Sequence, residues 1–524
     1  MTRQEIYDAI IVGSGATGGW AAKTLTEKGM RVLLLEAGSP LFQKKINHAQ
    51  QRLWKLLKIG NNRGSADSHR IGRDRQPIQS KCYAWKHNPD FFVDDIDNPY
   101  TTPEDKPFIW FRGRQVGGRM VIKAHGRQLY RFSDFQFKAA SHDGFGENWP
   151  ISYADLASYY ERVEQWIGIR GTAENIPHLP DSIFLPDEKI SKGERLLKSA
   201  LESSKTYDYR VTLGRMAPPR LTISAATKTG RLTLRPYAIV SHIIVDEDSG
   251  KAKGVAFIDK HTHKSYEVFG KVVVLCASTI ESTRILLNSA THQHPTGLGN
   301  SSGLLGHYLM DHTFIDIKGI IPKPERFLTN LSKDSDLFGN IYIPQFKNIA
   351  DHHNKFIRGY GIQAGLDWER LQGELVVKFY FSAFGEMLPR FENQVTINKD
   401  LKDAWGIPVA HIECIHSENE REMGIDQLET LKKIADAAGF EVLEERELLP
   451  PGLSAHECGT ARMGDDPKKS VLNKFNQSWD IKNLFVVDGS CFVSQGCQNP
   501  TLTMMAITAR ACDYIAYQYQ KDNL

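Results

Sequence analysis

The sequence predicts a mixed fold, α/β in its core and α+β overall: a parallel-sheet domain assembled from distant segments, with an antiparallel-sheet domain inserted into it. Three observations predict it. The chain opens on an apolar strand, a glycine-punctuated turn and a helix. Short alternating strands between Leu232 and Ala277 end in a continuous apolar strand followed by small residues. Alternating strands then recur from about Phe314 to His416 before a helical segment.

Tyr7 to Val12 reads as a buried parallel strand, Gly13-Ser14-Gly15-Ala16-Thr17-Gly18 as the turn, and Gly19 to Lys28 as a helix stopped by Gly29. Arg31 to Glu36 is the second strand and ends in an acid 23 residues after Gly13. In such a Rossmann-type unit Gly13 permits the tight turn, Gly15 lets the backbone approach a pyrophosphate, and Gly18 lets helix and strand pack closely. The open N–H groups at the helix start favour phosphate charge, and Glu36 can accept hydrogen bonds from a ribose while repelling a 2′-phosphate. The motif predicts dinucleotide binding and leaves FAD against NAD open, because both present the same ADP half.

Residues 41–107 read as an irregular surface excursion. Phe108 to Arg112 is an apolar strand or turn leading to a second glycine-rich segment, Gly113 to Gly118, and Ser152 can cap a helix from about Tyr153 to Trp166. Leu232 to Leu234, Ala238 to Val245, Val255 to Asp259 and Tyr266 to Phe269 read as four strands with a turn at Gly250 to Gly254, and Lys271 to Ala277 as a fifth. Ser278 or Thr279 caps a helix through Leu287. Gly373 to Phe384 and Asn393 to Asn398 are strands, and Ser417 to Ala438 a helix. The 524 residues exceed what one core accommodates. The expected division is 1–150, 205–313 and 446–524 as the nucleotide domain, with 151–204 and 314–445 as the substrate domain.

Composition narrows the function. A net charge of +3 without a basic block gives no nucleic-acid footprint. Seven cysteines, none in a CxxC pair, give no zinc pattern, so no metal site is expected. No apolar run reaches the ~20 residues of a spanning helix. No export signal is read at the N-terminus, which makes a cytoplasmic location the default.

The C-terminal region carries the most chemistry. Ser454 to Gly464 is a compact glycine-punctuated loop containing His456. The strand Leu484 to Val487 runs into Asp488-Gly489-Ser490, and Gln498-Asn499-Pro500-Thr501 precedes an apolar helix from Met504 to Tyr517. A strand ending in Asp-Gly beside a helix N-terminus is a further place where backbone donors meet a cofactor. Taken alone, a loop histidine followed by glutamate is more often a hydrogen-bonded residue than a base, and Asn499 before Pro500 also suits a helix cap.

These residues, in this order, resemble the glucose-methanol-choline (GMC) oxidoreductase family. The resemblance runs from Gly13-x-Gly15-x-x-Gly18 with Glu36, through Val116-Gly117-Gly118, Leu309-Met310-Asp311-His312 and Val395-Thr396-Ile397. It continues through the His456 to Gly464 loop to Asp488-Gly489 and Asn499-Pro500. Asp143-Gly144-Phe145, Trp149-Pro150-Ile151, Tyr153-x-Asp155-Leu156, Tyr159-Tyr160 and Asn476-Gln477 look most like the bacterial sugar-oxidising branch. That branch includes glucoside 3-dehydrogenase catalytic subunits and, further off, pyranose oxidases.

The resemblance implies FAD held by Gly13, Gly15, Gly18, Glu36, Gly117, Gly118, Asp488, Gly489, Pro500 and Thr501. It implies a catalytic pair at His456 and Asn499, and oxidation of a hydroxyl of a sugar or glycoside, including ring carbon C3, by hydride transfer to flavin N5. His456 takes the hydroxyl proton and Asn499 holds the oxygen. Oxidation by dioxygen and hydroxynitrile-lyase chemistry are the alternatives. Pyranose oxidases carry a flavin-linked histidine soon after the paired glycines. Ile122 stands four residues beyond Gly118 here, with His125 seven beyond, so non-covalent FAD is expected. The branch also implies a small subunit and a cytochrome or other electron acceptor as partners, with periplasmic location by co-export as the alternative. His312 is read as a structural hydrogen-bonding residue before a second base, Cys458, Cys491 and Cys497 as buried inert thiols, and Arg462 as facing either the cofactor or a carboxylate.

Overall fold

The computed structural model describes residues 6–40, 73–122, 128–186, 190–204, 206–218, 222–326, 340–350 and 355–524. Residues 41–72 of the expected excursion and His125 lie outside the described residues.

Strand Ile6–Val12 is apolar on both faces and therefore takes a central place in a seven-stranded sheet. Val32–Leu35 and then Leu232–Arg235 lie parallel on one side of it. Ser265–Leu275 lies parallel on the other, pairing Val12 with Leu275. This last strand does two jobs along its far edge. Its first half pairs antiparallel with Lys251–Asp259, and its last residues pair parallel with Leu484–Val486. The sequence reading split it in two at Gly270; the chain instead continues through Gly270, whose added Cβ would fall 2.8 Å from the Ile10 side chain. The reading also put a turn at Gly250 to Gly254, but Gly254 lies inside Lys251–Asp259, where a Cβ would meet the Val268 carbonyl at 2.0 Å. Phe108 to Arg112 forms no strand.

Helix Ala16–Glu27 packs against the C-terminal helix Thr501–Gln520, which also carries Tyr153–Ile167 on its surface. Ser152 and Asp155 close a capping box at the start of that last helix. The Trp166 ring meets Trp20 edge-on at 5.8 Å. The helix, grouped by chain order with the substrate domain, buries Leu156, Tyr160 and Val163 in the core of the first sheet. The two-stranded ribbon Gln394–Lys402 with Pro408–Glu413 does the same through Val395, Ala410 and Ile412.

A second, antiparallel sheet runs in the order Glu441–Arg446, Thr313–Ile320, Glu374–Gly385, Tyr360–Leu371, Ile341–Ile343, Thr212–Leu213. Its long central hairpin turns at Gln372 and Gly373, both with positive φ, as a two-residue hairpin turn requires. Helix Glu418–Ala437, started by the Ser417/Glu420 capping box, covers one face through Met423, Leu431 and Ile434. The mixed α/β architecture is thus as expected, with Thr212–Leu213 contributing to the second sheet.

Arg131 ties the loop before these helices to Tyr153–Ile167. Its Nε donates to Glu164 Oε1 at 2.8 Å, with both side chains buried. Replacing Arg131 by Met strands the Glu164 carboxylate in the core, so we expect a loss of about 3–5 kcal/mol. Urea denaturation followed by tryptophan fluorescence checks this; an unchanged midpoint contradicts it.

Candidate active site

A cleft opens at the carboxyl ends of Ile6–Val12 and Ser265–Leu275, where a doubly wound sheet places its ligand crevice. The first turn builds one end. Gly13 has φ +93°, and a Cβ on Gly18 would fall 1.8 Å from the Gly13 carbonyl oxygen, so both positions require glycine. Helix Ala16–Glu27 follows with Gly15 at its cap position and no side chain bonded there. Its first N–H groups therefore remain to be satisfied by something else. The Glu36 carboxylate accepts from the Gly38 N–H at 2.7 Å, and from the Ser14 N–H at 3.1 Å and its hydroxyl. Ser14 Oγ in turn accepts from the Gly117 N–H at 3.0 Å. Burial pushes the Glu36 carboxyl above its usual range, while these donors hold it down. Gly118 (φ +58°) lies so close that an added Cβ would sit 2.7 Å from Gly15 Cα. The two glycine segments are thus in backbone contact.

The other end is built by the loop before Cys458. Asp311, fully buried, accepts from the backbone N–H groups of Gly452 (2.8 Å), Ser454 (3.3 Å) and His456 (2.9 Å), and from the Ser454 hydroxyl. Burial and the neighbouring Glu457 push its carboxyl up to about 6, against the Ser454 hydroxyl and the N–H groups of His456 and Gly452. Gln495 Nε2 donates to the His456 carbonyl at 2.7 Å. The His456 ring is held on both sides: His312 Nδ1 lies 2.9 Å from its Nδ1, and Asn499 Nδ2 lies 3.1 Å from its Nε2. Gln363 Nε2 donates to Asn499 Oδ1 at 2.8 Å, and Gln128 Nε2 donates to Gln363 Oε1 at 2.8 Å. Arg119, next to the paired glycines, bonds the Ala455 carbonyl and Glu457 (2.7 Å).

Of the residues expected from sequence, Gly13, Gly15, Glu36, Gly118, His456, Asp488, Gly489, Asn499, Pro500 and Thr501 all line this one cleft. Gly18 and Gly117 stand behind it, in helix packing and as the donor to Ser14. Asp488 accepts from the Ser490 N–H at 3.0 Å and from the Ser282 hydroxyl, fixing the turn Gly489–Cys491. Asn499 does not cap Thr501–Gln520: Pro500 occupies the cap position, and the amide is taken by His456 and Gln363. Arg462 does not line the cofactor cleft. Its guanidinium stacks over Tyr308 at 3.9 Å and its Nε donates to the Lys469 carbonyl. Cys458, Cys491 and Cys497 are buried free thiols, pushed up by burial. Gln363 and Gln128 carry no signal in the sequence, since a polar residue that bonds a distant segment gives no local mark of its partner. The sequence reading also missed the contact of His312 with His456.

The cleft's chemistry suits a dinucleotide: open N–H donors at a helix start, a carboxylate anchored beyond them, and a seam of glycines that admits close backbone approach. A polar imidazole–amide pair stands at the far end.

Comparison with known proteins agrees. Residues 220–314 and 389–508 match the N- and C-terminal models of GMC oxidoreductases. The chain is 30% identical to 2-methyl-1,2-propanediol dehydrogenase of Mycolicibacterium austroafricanum over 99% of its own length and 96% of that protein's. It is 26% identical to the fructose dehydrogenase large subunit of Gluconobacter japonicus, covering 97% of each. The fold matches Aspergillus oryzae formate oxidase, solved in a study of its FAD modification, with a TM-score of 0.65 at 14% identity over the full length of both chains. FAD is the cofactor these relationships imply, and the donor set described above fits it. No helix among the described residues is long and apolar enough to cross a membrane. The chain belongs to the GMC oxidoreductase family.

Proposed function

We propose that this protein oxidises a hydroxyl group of a sugar, glycoside or small diol, with His456 as the base and Asn499 as the residue that holds the reacting oxygen. The observation that carries the reading is the pairing of His456 Nε2 with Asn499 Nδ2 at 3.1 Å on the wall of the cleft. An alcohol carbon gives up its hydride readily only if the hydroxyl proton leaves as well. A neutral imidazole receives that proton at Nε2 near neutral pH. The second Asn499 amide hydrogen can bond the same oxygen and fix the direction of its C–H bond. FAD, which the Gly13 to Gly18 turn and Glu36 would hold without a covalent bond, would supply the hydride acceptor when bound. Ile122, buried in this region, offers no group for attachment to a flavin.

Relatives named for a diol and for a sugar support the substrate class. Both are named dehydrogenases, and one is named as a large subunit, which supports electron transfer to a partner chain or other acceptor. Peroxide produced in air as fast as substrate is consumed would replace dehydrogenase by oxidase.

His456→Ala is expected to retain FAD and lose about 10²–10⁴-fold in the rate of anaerobic flavin reduction by substrate; an unchanged rate removes His456 from the chemistry. Acid precipitation of the native protein is expected to give a colourless pellet and a yellow supernatant; a yellow pellet contradicts non-covalent binding. Gly118→Ala is expected to yield protein depleted of FAD, since the new methyl forces the two glycine segments apart. Full flavin occupancy in that variant would show that the seam tolerates a shift.

A further inference from the structure

We propose that His312 is a positioning residue that locks His456 in the tautomer carrying its proton on Nδ1, so that Nε2 is the basic atom presented to substrate. This inference rests on the reading of His456 as the base, and hydrogen-bond direction around a buried, neutral His312 carries it. The Gly496 carbonyl can only accept, and His312 Nε2 lies 2.8 Å from it, so His312 carries its proton on Nε2. Burial holds the His312 imidazole down at about 4, and the ring is neutral at physiological pH. Its Nδ1 is then an acceptor, and the partner 2.9 Å away, His456 Nδ1, must donate.

The amide orientations on the opposite side of His456 agree with this. Burial keeps the Tyr130 phenol protonated, and its hydroxyl donates to Gln128 Oε1 at 2.7 Å. That leaves Gln128 Nε2 to donate to Gln363 Oε1, Gln363 Nε2 to donate to Asn499 Oδ1, and Asn499 Nδ2 to donate to His456 Nε2. A donor facing Nε2 is compatible only with a lone pair there. From Tyr130 to Gly496 every donor in the chain therefore points the same way. Reversing His456 alone would set two N–H groups against each other on one side and two lone pairs on the other. The ring stack supports the geometry: His312 and His456 are edge-to-face at 5.0 Å, and Phe384 packs against both. Asp311 and His312 divide the work between neighbouring positions, one gripping the backbone of the loop and the other the ring.

The test is ring-¹⁵N-histidine NMR of the FAD-loaded enzyme without substrate, with the His456 signals identified by their loss in His456→Gln. The lock predicts an N–H-type shift at Nδ1 and an unprotonated, pyridine-type shift at Nε2. A proton on Nε2 in the native enzyme overturns it, whatever the variants do. His312→Leu removes the acceptor that Nδ1–H needs while the Asn499 donor remains, so part of the proton population is expected to move toward Nε2. Its flavin-reduction rate should fall by at least about 10²-fold, short of the on the order of 10⁴-fold cost of a catalytic histidine held in the wrong tautomer. His312→Gln offers an acceptor oxygen to His456 and a donor to Gly496, and should restore both signature and rate to within about tenfold of native. An unaltered His456 signature in His312→Leu overturns the proposal. A His456→Ala enzyme that still reduces its flavin would instead defeat the functional reading while leaving the tautomer signature of the native enzyme intact.

Discussion

The candidate site depends on one buried carboxylate. Asp311 sits at the entrance to strand Thr313–Ile320 of the second sheet, yet its oxygens are filled by the N–H groups of residues 452, 454 and 456 and by the Ser454 hydroxyl. A carboxylate out of water is costly unless it is fully hydrogen-bonded. The loop therefore cannot leave without exposing an unsatisfied charge, and Asp311 cannot leave without orphaning the loop's donors. The mutual dependence fixes the backbone of His456 relative to the antiparallel sheet. On the other side the loop is tied to the parallel sheet, where the Gly459 N–H donates to the Gly489 carbonyl and the Ala461 N–H to that of Ser490.

The opposite end of the cleft is fixed by different physics. There the contacts are backbone on backbone, Gly18 against the Gly13 carbonyl and Gly118 against Gly15. Ser14 links three segments by donating to Glu36 and accepting from Gly117. A hydrogen-bonded polar cluster at one end and a glycine seam at the other meet through Arg119, which follows Gly118 and bonds the Ala455 carbonyl and Glu457.

The sequence carried the glycine seam openly, because positive φ and close approach leave few residues to choose from and Gly13, Gly15, Gly18 and Gly118 are spelled out. His456 and Asn499 were legible through their motif context, not through their own chemistry. Packing was less legible. The amphipathic helix Tyr153–Ile167 shows which face is apolar but not which partner receives it, and its partner turned out to be Thr501–Gln520. Gly270 and Gly254 read as breaks, while in the sheet they are places where neighbouring chains approach too closely for a side chain. Gln128 and Gln363 were invisible for a similar reason. The value of a buried amide lies in a partner more than a hundred residues away, and nothing local in the chain marks that partner.

The central claim is that this cleft removes the hydroxyl proton from oxygen and the hydride from carbon of one alcohol group. It is tested most directly by mixing the FAD-loaded protein anaerobically with a panel of diols, free sugars and glycosides and following flavin absorbance. The account predicts bleaching of the flavin by at least one of them, slowed when deuterium replaces hydrogen on the reacting carbon. A flavin left oxidised by every member of the panel would contradict it.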